Sequence, residues 1–381
     1  MKTLFRICLL ISILMLTSGL PAQEVTADII DFIRKSSISP ENYVIDKFRN
    51  HDVVFLGEHH VVKENLLFVQ SLVPELYENG IYNIGMEFGA SELQDKLDEL
   101  VSSEIYNEQL AKEIMFSYNV AWGYQEYLDV YKAAWKLNRS LPDNARKFRI
   151  VNLSYIFHWD KFTGQRNPET MSQVFPMGTI DKFRAEIIDR EIIQKNEKIL
   201  ALVGTPHAYS RYGSPYYKYN GDNFCDFDHD WLGNRLYRKY PDKVFSIILH
   251  QAFTMKEGDK YYPISPCDGT IEKLMAMNGN IPSGFDLIQS PVGKLPDRSI
   301  NAMCYKDFTL EQLFDGYIFL KPLNQLNGCT VIGDFVNETN VDQALKNFPD
   351  PDWHGKMNSL EDVRRFILNN SDEIAGKYGK L

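Results

Sequence analysis

Eight histidines occur among 381 residues, and two of them, His59 and His60, stand side by side directly after Gly57 and Glu58. The apolar run Val53–Leu56 in front of them reads as a strand, so these groups gather where a strand ends. A second stretch repeats the pattern: Gly204-Thr205-Pro206-His207 follows the apolar run Ile199–Val203. Each motif is a glycine, two residues and a histidine after a buried strand. Between them in sequence, the run Tyr82–Met86 leads into Glu87, within Gly85-Met86-Glu87-Phe88-Gly89. Two neutral imidazoles and a carboxylate suit zinc, iron or manganese and leave positions open for water and substrate. Such an ion lowers the pKa of its water and polarises a carbonyl. A second carboxylate, Glu58, could then move the proton. Along an extended segment Glu58 and His60 are two apart and share a face, whereas His59 points away. The expected catalytic set is therefore Glu58, His60, Glu87 and His207. A divalent metal would be held by His60, Glu87 and His207, and a Glu/His pair acting alone stays open as the alternative.

These residues are far apart in sequence, so the elements must bring them together. Helical patterns at Glu64–Glu78, Ser91–Val101, Glu108–Phe116 and Tyr124–Leu137 separate the first two strands from a third at Phe148–Leu153. A charged helix at Ile180–Lys198 precedes the fourth strand, and a helix at Trp231–Tyr240 precedes a fifth at Val244–Leu249. Amphipathic helices at Asp28–Lys35 and Glu41–Phe48 come before all of these. Alternation at these lengths implies an α/β fold with a mostly parallel sheet between helical layers and right-handed crossovers. In such a sheet the strand ends point one way, and ligands bind in the crevice beyond them. Glycines at those ends permit tight turns and close approach of a ligand to the backbone. After about Ala252 the pattern weakens: Gly, Pro and Asn punctuate 279–295, and only Tyr317–Leu320, Thr330–Ile332 and Leu360–Leu368 look regular. The expected organisation is a leader at 1–22, an α/β core at 23–252 and an irregular C-terminal extension at 253–381 packed on the core.

The stretches "LGEHH", "IGMEFG" and "LVGTPHAY" resemble the superfamily that unites Tiki-type proteases, erythromycin esterases and the ChaN-type haem-uptake lipoproteins. The resemblance covers about Val53–Tyr209 and rests on the paired glycine–histidine motifs with a glutamate after the second strand. It implies that His60, Glu87 and His207 form the site with Glu58 beside it, on a parallel α/β sheet. It also implies two function classes. One is hydrolysis of an ester or amide in a small-molecule or peptide substrate. The other is non-catalytic binding of haem or another small ligand.

Lys2 and Arg6, the apolar run Ile7–Leu16 and the small residues up to Ala22 have the layout of a secretory signal peptide. Cleavage there moves the formal charge from −10 to −12, since only those two charges are lost. An acidic chain without a basic stripe repels phosphate backbones, which disfavours nucleic acid as a partner. No later run is long and apolar enough for a stable membrane span. The expected location is periplasmic or secreted. Cys225, Cys267, Cys304 and Cys329 remain after cleavage, and in an oxidising compartment they permit two disulfides. Four features near the motifs read as structural or as weaker candidates. Asp226–Trp231 lacks the glycine and glutamate of a calcium loop and reads as a turn capping the next helix. Tyr209, Tyr212, Tyr216, Tyr217 and Tyr219 could wall a pocket or offer a phenolate to haem. Arg190 reads as a surface ion pair and His250 as structural. No serine lies in a Gly-x-Ser-x-Gly elbow, which disfavours a serine hydrolase.

Overall fold

The computed structural model describes residues 25–220 and 224–381. The expected leader at 1–22 lies outside the described residues. Eleven strands form among them: β1 (Val53–Glu58), β2 (Asn83–Ala90), β3 (Arg149–Ser154), β4 (Ile199–Gly204), β5 (Ser214–Tyr217), β6 (Cys225–Asp228), β7 (Val244–Leu249), β8 (Phe253–Glu257), β9 (Lys260–Ile264), β10 (Ser283–Asp286) and β11 (Gly316–Phe319). Seven of them make one sheet in the order β10-β11-β7-β1-β4-β2-β3, and β5-β6 and β8-β9 are separate two-stranded pairs. Within the sheet only β10 runs antiparallel to its neighbour. The α/β class and the mostly parallel sheet read from the sequence are thus observed.

Alternation along the central strand explains why it reads as unbroken apolar text. Val54 and Leu56 enter one core, shared with the helices Lys63–Glu78 and Gln125–Ser140. Val53 and Phe55 enter the other, shared with the helices Ile180–Glu191, Leu232–Lys239 and Thr270–Met277. All four side chains are completely buried, and each contributes roughly 1.5–3 kcal/mol of burial. In register, Glu58 lies beside Gly204 on β4, and Met86 of β2 lies beside Leu202. The ends of β1, β4 and β2 therefore stand next to one another.

The structure departs from the reading in a few places. The charged helix stops at Glu191, and Asn196 in the left-handed region (φ 54°) turns the chain into β4. The last helix runs from Leu360 to Tyr378, well past Leu368. Its inner stripe continues through Ser371, Ile374 and Tyr378, and the Ser371 hydroxyl donates to the Cys329 carbonyl at 2.6 Å. Asp226 and its neighbours form β6 instead of a turn, and Trp231 precedes its helix with no side-chain cap. Segments of 253–381 join the main sheet, β11 pairing in parallel with β7 and β10 closing the edge.

Of the two possible disulfides one forms, Cys225–Cys304, with Cα atoms 5.8 Å apart. Cys267 and Cys329 are free and buried on opposite faces of the sheet, in different cores. Among the described residues no helix is long and apolar enough to cross a membrane.

Candidate active site

Glu58 closes β1 and is buried. Its Oε1 accepts a hydrogen bond from the Tyr127 hydroxyl at 2.7 Å and lies 3.1 Å from His60 Nδ1. The same hydroxyl accepts the Val61 amide at 3.1 Å. Val61 has φ 65°, a left-handed conformation that a β-branched residue adopts at a cost of about 1–3 kcal/mol. The turn after His60 is therefore held, through Tyr127, to the carboxylate that orients the imidazole. Burial raises the Glu58 pKa, against the lowering pull of His60 and Tyr127. Burial favours neutral His60, but Glu58 and Glu87 outweigh it and raise its pKa.

His60 Nε2 points toward Glu87, 3.9 Å from Oε2, and 34 % of the His60 side chain remains exposed. The ring lies over the end of β4 because residue 204 is glycine. A Cβ there would stand 2.7 Å from both Cε1 and Nε2 of His60. Glu87 sits where the β2–β3 register shifts between Met86 and Ala90, and such irregularities re-aim side chains beside functional sites.

Both Glu87 oxygens are engaged. Oε1 accepts from Arg184 Nη2 at 3.0 Å and lies 3.3 Å from His207 Nε2, while Oε2 accepts the Gly204 amide at 2.6 Å. Burial pushes the Glu87 pKa up, but Arg184, His207 and His60 together hold it well below the usual carboxylate range. His207 Nδ1 lies 2.7 Å from Asp181 Oδ1, at ion-pair distance but out of line for a hydrogen bond. Burial and Arg184 oppose the charged imidazole, yet Glu87 and Asp181 prevail and push its pKa up to about 9. Arg184 is buried, reaches Asp181 at 3.3 Å, and donates to Ser154 Oγ from Nε and Nη2. Aromatic rings wall the cluster. Phe88 and Trp122 stack at 3.7 Å and present themselves to His60, and Trp231 packs edge-on to His207 at 5.4 Å.

The structure thus brings His60, Glu87 and His207 together, with Glu58 behind His60. His59 turns away: its Nδ1 lies 3.1 Å from the His60 carbonyl, its ring packs 5.7 Å from Tyr378, and burial takes its pKa down to about 4. Three members of the cluster were not found from the sequence, namely Tyr127, Asp181 and Arg184. Phe183, Ile187 and Ile188 mark the inner face of the Ile180–Glu191 helix, and that face also carries Asp181 and Arg184, so helical phase was the available signal. Arg190, read from the sequence as a surface ion pair, does pair at the surface with Glu191 at 3.0 Å. His250 is structural, between Tyr317 and Glu272. Tyr209 and Tyr212 pack in the core, whereas Tyr216, Tyr217 and Tyr219 are exposed. Asp226 pairs with Lys218 and Tyr216.

A divalent cation held by His60, Glu87 and His207, as anticipated, does not fit this donor set. The Glu87 lone pairs already serve Arg184, His207 and the Gly204 amide. The Arg184 guanidinium places a fixed positive charge against the carboxylate that an ion would need. His207 lies between two carboxylates, those of Glu87 and Asp181.

Residues 44–141 match a family model described as "Haem-binding uptake, Tiki superfamily, ChaN". That stretch holds Glu58, His60, Glu87 and Tyr127 and ends before His207. None of the curated proteins matches the chain. A solved Bacillus cereus protein is 12% identical, covers 81% of this chain and 100% of its own, and has a TM-score of 0.51. A succinoglycan biosynthesis protein is 14% identical over 78% of this chain and 97% of its own, with a TM-score of 0.49. A mutant erythromycin esterase, EreC, in its open conformation is 12% identical over 78% of this chain and 94% of its own, with a TM-score of 0.46. The superfamily resemblance read from the motifs is supported by the family match, and the Bacillus cereus structure shares the fold.

Proposed function

We propose that this chain is an exported hydrolase of an ester or amide bond in a small-molecule or peptide substrate, with His60 as the base that activates water. The observation that carries the reading is the contact of His60 Nδ1 with buried Glu58 at 3.1 Å, which leaves Nε2 facing the crevice. A carboxylate on Nδ1 fixes the tautomer and stabilises the imidazolium that forms when Nε2 takes a proton. In the first step a water O–H bond breaks, its proton goes to Nε2, and its oxygen bonds to the substrate carbonyl carbon. Negative charge then develops on the carbonyl oxygen, and the cationic His207 supplies a favourable field. In the second step the bond to the leaving group breaks and that group takes the proton from Nε2. Glu87, kept ionised by Arg184, holds the two imidazoles in place. No step requires a metal, in keeping with the poor fit of the donors to one. The Cys225–Cys304 disulfide suits an oxidising compartment and supports export.

A panel of generic esters and peptides tests the proposal. Hydrolysis should survive a chelator and be lost in His60→Ala. A stoichiometric transition ion whose removal abolishes turnover would overturn the metal-free mechanism. A Soret band on adding haemin, with no hydrolysis anywhere in the panel, would move the chain to the ligand-binding class.

A further inference from the structure

The two glycine–histidine motifs touch at their second residues. The parallel ladder between β1 and β4 ends with Glu58 beside Gly204. Thr205, one residue further on, extends it with a side chain: its Oγ1 donates to the Glu58 carbonyl at 3.0 Å. That carbonyl belongs to the peptide between Glu58 and His59, so holding it fixes ψ of Glu58. The 3.1 Å contact of Glu58 Oε1 with His60 Nδ1 spans only this peptide and the next. The peptide after His60 is held separately, because the Val61 amide donates to the Tyr127 hydroxyl. The peptide ahead of the base is held by Thr205.

A hydroxyl rotates to suit its surroundings, and here Gln251 directs it. Gln251 stands two residues beyond the end of β7 and is buried. Its Nε2 donates to Thr205 Oγ1 at 2.8 Å and to the Leu249 carbonyl of its own strand at 3.1 Å. The Thr205 hydroxyl has one proton, and Gln251 Oε1 and the Glu58 carbonyl oxygen both lie 3.0 Å from it. Accepting from the amide N–H leaves that proton for Glu58. The chain behind Gln251 is itself fixed. The His250 amide donates to the Ile318 carbonyl at 2.8 Å, and the His250 ring is held between Tyr317 and Glu272. One buried amide thus links the ends of β7, β4 and β1.

We infer that Gln251 is a positioning residue for the base. Through the Thr205 hydroxyl it fixes the Glu58–His59 peptide, and with it the direction from which Glu58 meets His60. It acts through Thr205 and Glu58 and not on the reacting atoms. The inference rests on the hydrolase reading for its effect on turnover, but the placement of the His60 ring can be measured without turnover. A small displacement is enough to matter, since misplacing a reacting group by about 1 Å can cost about 10²-fold in rate.

The experiment compares wild type with Gln251→Met, Thr205→Val, their double variant and Thr205→Ser. Methionine keeps an unbranched side chain without the amide, valine keeps the branch without the hydroxyl, and serine keeps the hydroxyl. The ester that wild type cleaves best gives kcat and KM. Nitrogen NMR of histidine-labelled protein, with His60 assigned from His60→Ala, reports its Nδ1 without substrate. With KM little changed, kcat should fall about tenfold in Gln251→Met and about 10²-fold in Thr205→Val. The double variant should be no slower than Thr205→Val alone, because Gln251 acts through that hydroxyl. Thr205→Ser should turn over like wild type. The His60 Nδ1 signal should move in Gln251→Met and Thr205→Val and stay in place in Thr205→Ser. If Gln251→Met does not fold, Gln251→Asn, which draws the amide back from Thr205, replaces it with the same losses expected. Wild-type kcat in either single variant overturns the inference. So does a double variant slowed by the product of the two single losses, the mark of a separate effect of Gln251 on β7. If esters are cleaved and the His60 signal is unmoved in every variant, the inference fails and the hydrolase stands. If wild type cleaves no ester, the hydrolase fails and the His60 signal alone decides the inference.

Discussion

A methyl group at Gly204 would stand 2.7 Å from two atoms of the His60 ring. Gly204→Ala should therefore displace the base and lower turnover by at least about 10²-fold, the scale of a misplaced catalytic group. Urea unfolding should change little, because the ring is partly exposed and can swing outward. Glu58→Gln keeps the shape of the side chain but removes the charge that stabilises the imidazolium, so turnover should fall roughly 10²–10⁴-fold with the fold retained. Glu87→Gln should behave differently. It leaves the buried Arg184 without its nearest anion, and breaking such a pair costs about 3–5 kcal/mol, visible as an earlier urea midpoint. An earlier urea midpoint for Glu58→Gln than for Glu87→Gln would show that their roles have been exchanged. The pH–rate profile follows from the same groups. His60 must be neutral to accept a proton and its pKa is raised, so the acidic limb should lie above 6.5, the ordinary histidine value. His207 must stay charged, and its pKa of about 9 sets the alkaline limb. An optimum below pH 6 would contradict both assignments.

The Ile180–Glu191 helix is fastened to the sheet by charge as well as by apolar packing, through Arg184 to Glu87 and Asp181 to His207. Its docking should therefore respond to pH at both ends. The raised His207 pKa contributes stability that is fully present below about 6.5 and lost as pH rises through about 9. The depressed Glu87 pKa contributes stability that is present above about 4.5 and lost in acid. Urea midpoints should fall between pH 6.5 and 9, and His207→Gln should flatten that decline. A decline of the same slope in the variant would assign it elsewhere. At the other end of the chain, Gly376 lies exposed within the last helix, and a Cβ there meets nothing. Gly376→Ala should stabilise the protein by roughly 0.5–1 kcal/mol. Legibility in the sequence also divides at this scale. Strand ends advertise their residues, because a histidine or glutamate just after a mostly apolar run has a defined direction, which is how His60, Glu87 and His207 were found. An inward-facing Arg184 on a helix rich in charge resembles its outward neighbours until the helical phase is fixed. β10 is four residues long and contains Gly284, which reads as a breaker. The glycine is there because a Cβ would strike the Tyr43 ring at 2.4 Å.

Across the whole molecule the Cys225–Cys304 bond closes a loop of 79 residues that links the β5–β6 pair to the segment after Ile300–Ala302. Loop-entropy scaling gives about 4–5 kcal/mol for a loop of that length, so a reducing agent should move the urea midpoint clearly downward. Thiol titration of the denatured, unreduced protein produced without residues 1–22 should find two reactive groups, Cys267 and Cys329, and finding four would contradict the link. The position of β1 carries a further consequence. It lies near the N-terminus of the described chain, yet both its partners come late, β4 from Ile199 and β7 from Val244. The strand that carries Glu58 cannot gain both neighbours until the chain has been made through Leu249, and pairings this distant in sequence form slowly. The first half of the polypeptide therefore cannot complete the sheet around the site by itself, which makes the assembly of that site a late event. The end of β1 that carries Glu58 gains its second neighbour only when β7 has arrived on the far side.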